Sequence, residues 1–198
     1  MEKYLQATEI IDWQNPGILK LAKNLSQGKT TVEATAKACF EWVRDEIYHS
    51  CDYKMNPVTC RASQVLKHKT GYCYAKSHLL TALLRANSIP AGLCYQRLSI
   101  YDDGAPYSLH GLNAVYLPNY GWYRIDPRGN KTGVDAQFIP PQEKLAFQLN
   151  FPEEVDCQQI FSEPLPEVIQ ALESHTNWQD LLNNLPDREP SLLKSLAN

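Results

Sequence analysis

A change of hydrophobic period near residue 90 constrains this chain more than any other feature. Upstream of Pro90 apolar residues recur at helical spacing; downstream they fall into short runs rich in Tyr, Leu, Val and Ile, parted by turn-formers. Val32, Ala36, Cys39, Phe40, Val43 and Ile47 form a stripe that predicts a helix over 31–47, with Thr30 and Glu33 as a capping box. Pro16 suits a first helical position and predicts a helix over 16–25. A short helix is expected over 62–68. Thr70-Gly71-Tyr72-Cys73 then breaks the pattern and leads into a helix buried through Leu79, Leu80, Leu83 and Leu84, which Asn87-Ser88-Ile89-Pro90 ends. Residues 92–100, 110–117 and 122–125 read as an antiparallel meander, with turns at Asp102-Asp103-Gly104-Ala105-Pro106 and Pro118-Asn119-Tyr120-Gly121. Helices followed by contiguous strands give an α+β fold. Pro140-Pro141 marks a junction between a core with its N-terminal helices, residues 1–140, and a mostly helical extension packed on it, residues 141–198, with helices near 164–174 and 177–184.

Composition excludes several functions. With 43% hydrophobic and 21% charged residues the chain has the makeup of a folded globular protein, and its net charge of -3 forms no basic stripe for phosphates. No nucleic-acid partner is expected. No window approaches eighteen apolar residues, and Met1-Glu2-Lys3-Tyr4-Leu5-Gln6 lacks the pattern of a signal peptide, so neither membrane insertion nor export is expected. The six cysteines, at 39, 51, 60, 73, 94 and 157, are irregularly spaced, which predicts free thiols in a cytoplasmic protein. His49, Cys51, Cys60 and His68 are of types that suit zinc, but lack the short Cys-x-x-Cys clip. The pairs Asp102-Asp103 and Glu153-Glu154 lie outside any calcium-loop pattern. No metal or cofactor is expected.

The chemistry concentrates where helix and meander meet. A cysteine at a helix N-terminus faces unpaired N–H groups and the positive end of the helix dipole, both of which favour thiolate, and Cys73 is so placed, after Thr70 or Gly71 as cap. An arbitrary cysteine is more often a buried structural residue, and the other five read that way. A thiolate nucleophile needs a base, and the base an orienting group. Among the histidines, His78 follows Cys73 by five positions, about 140° around the helix, and points elsewhere. His49 and His68 lie at helix ends, where solvated histidines are common, and His175 lies in the weakly patterned C-terminal part. His110 opens a strand, and Asp126 ends the next. A three-residue loop, Pro118-Asn119-Tyr120, would pair Leu117 with Gly121, Leu112 with Asp126 and His110 with Arg128, leaving His110 and Asp126 on one face as diagonal neighbours; an even loop without a bulge would separate them.

These residues carry a resemblance. Gly71-Tyr72-Cys73 with its helix and the Ser88-Ile89-Pro90-Ala91 exit resembles the Gly-x-Cys helix and Gly-Ile-Pro-Ala exit of the bacterial transglutaminase-like superfamily. His110 with Val115-Tyr116-Leu117-Pro118, and Gly121-Trp122-Tyr123-Arg124-Ile125-Asp126-Pro127, are similar to that family's His strand and Gly-Trp-x-x-x-Asp-Pro segment. The match spans about residues 31–130. Gly111-Leu112 stands where many relatives have Ala-Trp, and Arg128 where many have Thr, so the site's walls differ. The resemblance implies a papain-like α+β fold with Cys73 as nucleophile, His110 as general acid and base, and Asp126 as orienter of the imidazole. Gln64, by analogy with papain-like sites, Tyr72 and Trp122 are candidates for oxyanion or substrate contacts; Trp42 reads as a helix aromatic. The implied activity is acyl transfer or hydrolysis at a protein or peptide amide through a thioester. The alternative is a binding or scaffolding module that keeps the fold without turnover.

Overall fold

Local capping chemistry sets where the helices begin in this computed structural model, which describes residues 1–195. Helix α1 (Pro16–Ser26) opens on its proline, and the Asn15 side chain accepts from the Gly17 N–H at 2.9 Å. Helix α2 (Val32–Glu46) begins one residue later than a Thr30 cap would give, because Thr31 accepts from the Ala34 N–H at 3.1 Å. Glu33 does not close a capping box with Thr30; it accepts from Asn119 Nδ2 at 2.9 Å and so ties α2 to a β-turn. Strand β1 (Tyr48–His49), helix α3 (Ser50–Tyr53), helix α4 (Ala62–His68) and strand β2 (Thr70–Gly71) lead to helix α5 (Cys73–Ala86). The N-cap of α5 is Tyr72, whose side chain makes no capping hydrogen bond, rather than Thr70 or Gly71.

Strands β3 (Ala91–Ser99), β4 (Tyr107–Leu117) and β5 (Gly121–Ile125) form the meander; β6 (Gln137–Ile139) and β7 (Gln142–Lys144) form a hairpin; β8 (Val155–Asp156) pairs antiparallel with β3. The main sheet has the order β5-β4-β3-β8 and is antiparallel throughout. Helices α6 (Pro166–Ser174), α7 (Trp178–Leu182) and α8 (Pro190–Ser195) follow. Pro140-Pro141 falls in the turn of the β6–β7 hairpin, and β8, from beyond it, is part of the main sheet.

Helix α5 organises the core. It packs on β4 and β3 on one side and on α1, α2 and α4 on the other. Its leucines supply the apolar contacts, yet every residue from Cys73 to Arg85 is buried, including three cationic or imidazole side chains. Burial of such groups is tolerable only with partners. Lys76 Nζ donates to the Arg44 and Ile47 carbonyls, the Arg85 guanidinium to those of Gln6, Ala91 and Ser162, and His78 Nδ1 lies 2.8 Å from the Cys60 carbonyl. A single apolar stripe therefore understates how deeply this helix is enclosed.

Candidate active site

Cys73 is the first residue of α5, where backbone N–H groups lack intrahelical acceptors. What lets the helix start approach β4 is the absence of a side chain at Gly111. A Cβ there would stand 2.9 Å from Tyr74 Cδ1 and 3.1 Å from Tyr74 Cα. With hydrogen in its place, the Gly111 N–H reaches the Cys73 sulfur at 3.5 Å, and the buried Tyr74 hydroxyl, one residue on, donates to the Leu109 carbonyl. Strand β5 ends at Ile125, leaving this stretch of the β4 edge open to the helix.

The β4–β5 register is that of the three-residue loop. Leu117 faces Gly121 and Asn113 faces Ile125, and Gly121 takes a positive φ of 75°. Extending that register one step puts Asp126 opposite Leu112, diagonal to His110. His110 Nε2 lies 2.7 Å from Asp126 Oδ2, and the imidazole is close enough to Cys73 for the two to interact. Asp126 is fully buried and also accepts from the Arg128 N–H at 3.1 Å and the Ala146 N–H at 3.2 Å. Burial alone would raise its pKa, but the facing imidazole and the two N–H donors hold the carboxyl below its usual range. Burial would likewise depress His110. The charges of Asp126 and Cys73, with hydrogen bonds to both, outweigh it and lift the imidazole to about 10. At neutral pH the site therefore holds a carboxylate, an imidazolium and a sulfur in sequence. Phe147 closes over His110 edge-on, with ring centroids 5.0 Å apart.

Cys73 and His110 open on a cavity of about 660 Å³ walled by Tyr72, His49, Arg128 and Phe147. The C-terminal segment supplies another wall through Leu182 and Leu185, and it is tied down beside the site. The Pro186 carbonyl accepts from the Leu109 N–H at 2.8 Å, one residue before His110, and Asp187 forms a two-pronged ion pair with Arg97 at 2.7 Å.

Of the six residues expected at the site, four line this cavity or bond to those that do, and two do not. Tyr72 lines the cavity with its ring, its hydroxyl being spent on the Trp178 carbonyl. Gln64 does not reach the cavity, because its Oε1 accepts from the Cys60 and Arg61 N–H groups at 3.1 Å and caps α4. Trp122 is also away from it, four residues and about 13 Å along the strand from Asp126. Its ring is packed between Tyr4 and Tyr116. His49, expected at a solvated helix end, is instead buried at 8% exposure in the cavity wall, while Arg128 stands at the same wall in a two-pronged pair with Asp52. His49, Cys51, Cys60 and His68 are not brought together, and among the described residues no group of three or more such side chains could hold a metal ion. Also among the described residues, no helix is long and apolar enough to cross a membrane.

The fold has solved counterparts. A candidate cysteine protease from Cytophaga hutchinsonii is similar over 63% of this chain, with 19% identity and a TM-score of 0.52; this chain spans 40% of its length. The periplasmic domain of TgpA from Pseudomonas aeruginosa is similar over the same share, with 22% identity and a TM-score of 0.47, and this chain spans 46% of that domain. At such identities the first likeness bears on the fold alone. No curated protein matches the chain. The model of the transglutaminase-like superfamily matches residues 19–127, more than half the chain, from α1 through the residue after Asp126. This chain belongs to the transglutaminase-like superfamily.

Proposed function

We propose that this protein carries out cysteine-dependent acyl chemistry at protein or peptide amides, through a thioester on Cys73. The observation that supports it best is the line of contacts from Asp126 through His110 to the Cys73 sulfur, at a helix start that faces a cavity. The Cys73 thiolate attacks the amide carbonyl carbon, forming a C–S bond and an oxyanion. The His110 imidazolium gives its proton to the departing amine as the C–N bond breaks, leaving the thioester. Neutral His110 then takes a proton from the acceptor as it attacks, and the thiolate leaves. Water as acceptor makes the protein an amidase or peptidase; a lysine amine makes it an acyltransferase. Asp126 holds the imidazole in place and stabilises its charged form.

Membership of the transglutaminase-like superfamily supports the reading, and Arg128 gives the cavity a wall of this chain's own. The six cysteines form no disulfide, which supports a reducing, cytoplasmic setting. The test is a panel of peptide amides and glutamine- or isopeptide-linked substrates, with and without an added primary amine, against wild type and Cys73→Ala. Turnover lost in Cys73→Ala is expected, with product partitioning toward the amine if transfer operates. A folded wild-type protein that binds such peptides without turnover would replace this reading by that of a binding module.

A further inference from the structure

We infer that His49 is a further residue of this site, donating its Nε2–H to the oxyanion that forms on the substrate carbonyl when Cys73 attacks. The inference rests on the acyl-transfer reading above. Strand β1 lies parallel to β2 with His49 opposite Gly71, two residues before Cys73, so the backbone fixes this imidazole beside the start of α5. Its ring meets the Tyr72 ring edge-on at 5.4 Å between centroids and lines the cavity with Cys73 and His110.

The ring is buried yet has no hydrogen bond. Nδ1 is enclosed and unpartnered, and the carboxylate beside it, Asp52 Oδ2, stands 3.8 Å away, beyond hydrogen-bond reach. Asp52 is in any case held by Arg128 and Lys131. His78, a core histidine in the same molecule, has an enclosed and unpartnered Nε2 as well, but keeps one ring bond, from Nδ1 to the Cys60 carbonyl, where His49 has none. A buried polar ring without a partner costs free energy, and an oxygen placed in the cavity would give the ring's other nitrogen, Nε2, a partner. Burial, with the charge of Arg128 close by, keeps the ring well below the usual histidine range, so it is neutral at physiological pH and has one N–H to give. With Nδ1 enclosed, the tautomer that carries its proton on Nε2 is the one that presents a donor to the cavity. Together with the Cys73 backbone N–H, this makes two donors for one oxyanion, one from the helix start and one from β1.

Two reactions of the same sulfur separate this role from the others. Acylation of Cys73 by p-nitrophenyl acetate passes through an oxyanion; alkylation by iodoacetamide does not. His49→Ala is expected to slow acylation about 10²-fold, the usual effect of losing one oxyanion donor, while alkylation stays near wild type and reports that the site is still folded. His49→Gln, which keeps an N–H at similar reach, is expected to recover most of the loss. Acylation unchanged in His49→Ala overturns the assignment. So does a parallel fall of acylation and alkylation, which would mean that the ring acts on the thiolate or the fold. Wild-type protein that alkylates at Cys73 but does not acylate overturns both this inference and the reading beneath it. Nitrogen-15 NMR of the wild-type ring adds a check free of turnover: a proton on Nε2 is expected, and a proton on Nδ1 refutes the donor role.

Discussion

Replacing Lys76 by methionine isolates the cost of a buried charge next to the site. Lys76 is wholly buried one turn after Cys73, with its Nζ on the Arg44 and Ile47 carbonyls and 3.3 Å from where a Cβ on Gly129 would stand. Burial, helped by Arg128, outweighs Asp126, Asp45 and Asp52 and depresses its pKa from 10.5 to about 7. Between those values the unfolded chain binds a proton that the folded one does not, so this group makes stability rise with pH across the window and fall as pH drops toward 7. At 1.36 kcal/mol per pH unit, the difference in unfolding free energy between wild type and Lys76→Met should move by about 3–4 kcal/mol in favour of wild type between pH 7 and pH 10. Urea unfolding of both proteins at the two pH values measures it, and the subtraction cancels most other titrations. His110, lifted to about 10, pulls the other way: its stabilisation is complete below 6.5 and is lost as pH rises through 10, in both proteins. A difference that does not change with pH would refute the claim that Lys76 is buried without a compensating negative charge.

Two further outcomes are expected. Gly111→Ala puts a methyl group 2.9–3.1 Å from Tyr74, so the start of α5 must move off β4; destabilisation of about 1–3 kcal/mol and slower alkylation of Cys73 should follow, and wild-type behaviour in both would show that the contact yields freely. Asp187→Ala removes the pair that ties the C-terminal wall to Arg97 beside the cavity; iodoacetamide should then reach Cys73 faster than in wild type, and an unchanged rate would mean that this segment does not limit access.

How much of this was legible in the sequence depends on distance along the chain. The helix start at Cys73 and the meander after Pro90 follow from local period and turn chemistry, and the β4–β5 register follows from the parity of a three-residue loop. All three involve residues close in sequence. His49 was misplaced because its burial comes from pairing with Gly71, twenty-two residues on, and a two-residue strand has no periodic signature. The buried state of Lys76 and Arg85 depends on carbonyls of Ile47, Gln6 and Ser162, which no pattern on α5 reveals. Gln64 was assigned to the site by analogy, whereas its spacing from Arg61 is that of a helix cap. Strand β8 has two residues and was invisible for the same reason as β1.

Cys73, alone among six thiols, sits beside a charged imidazole. Burial pushes the thiols of Cys39, Cys60 and Cys94 up to about 12 and raises those of Cys51 and Cys157. Limiting iodoacetamide at about pH 6, followed by peptide mapping, compares all six in one native sample. Cys73 is expected to be labelled first, His110→Ala to slow its labelling, and Asp126→Ala to slow it less. Labelling of Cys73 no faster than Cys51 on the same cavity wall, and indifferent to loss of His110, would mean that His110 does not activate this thiol.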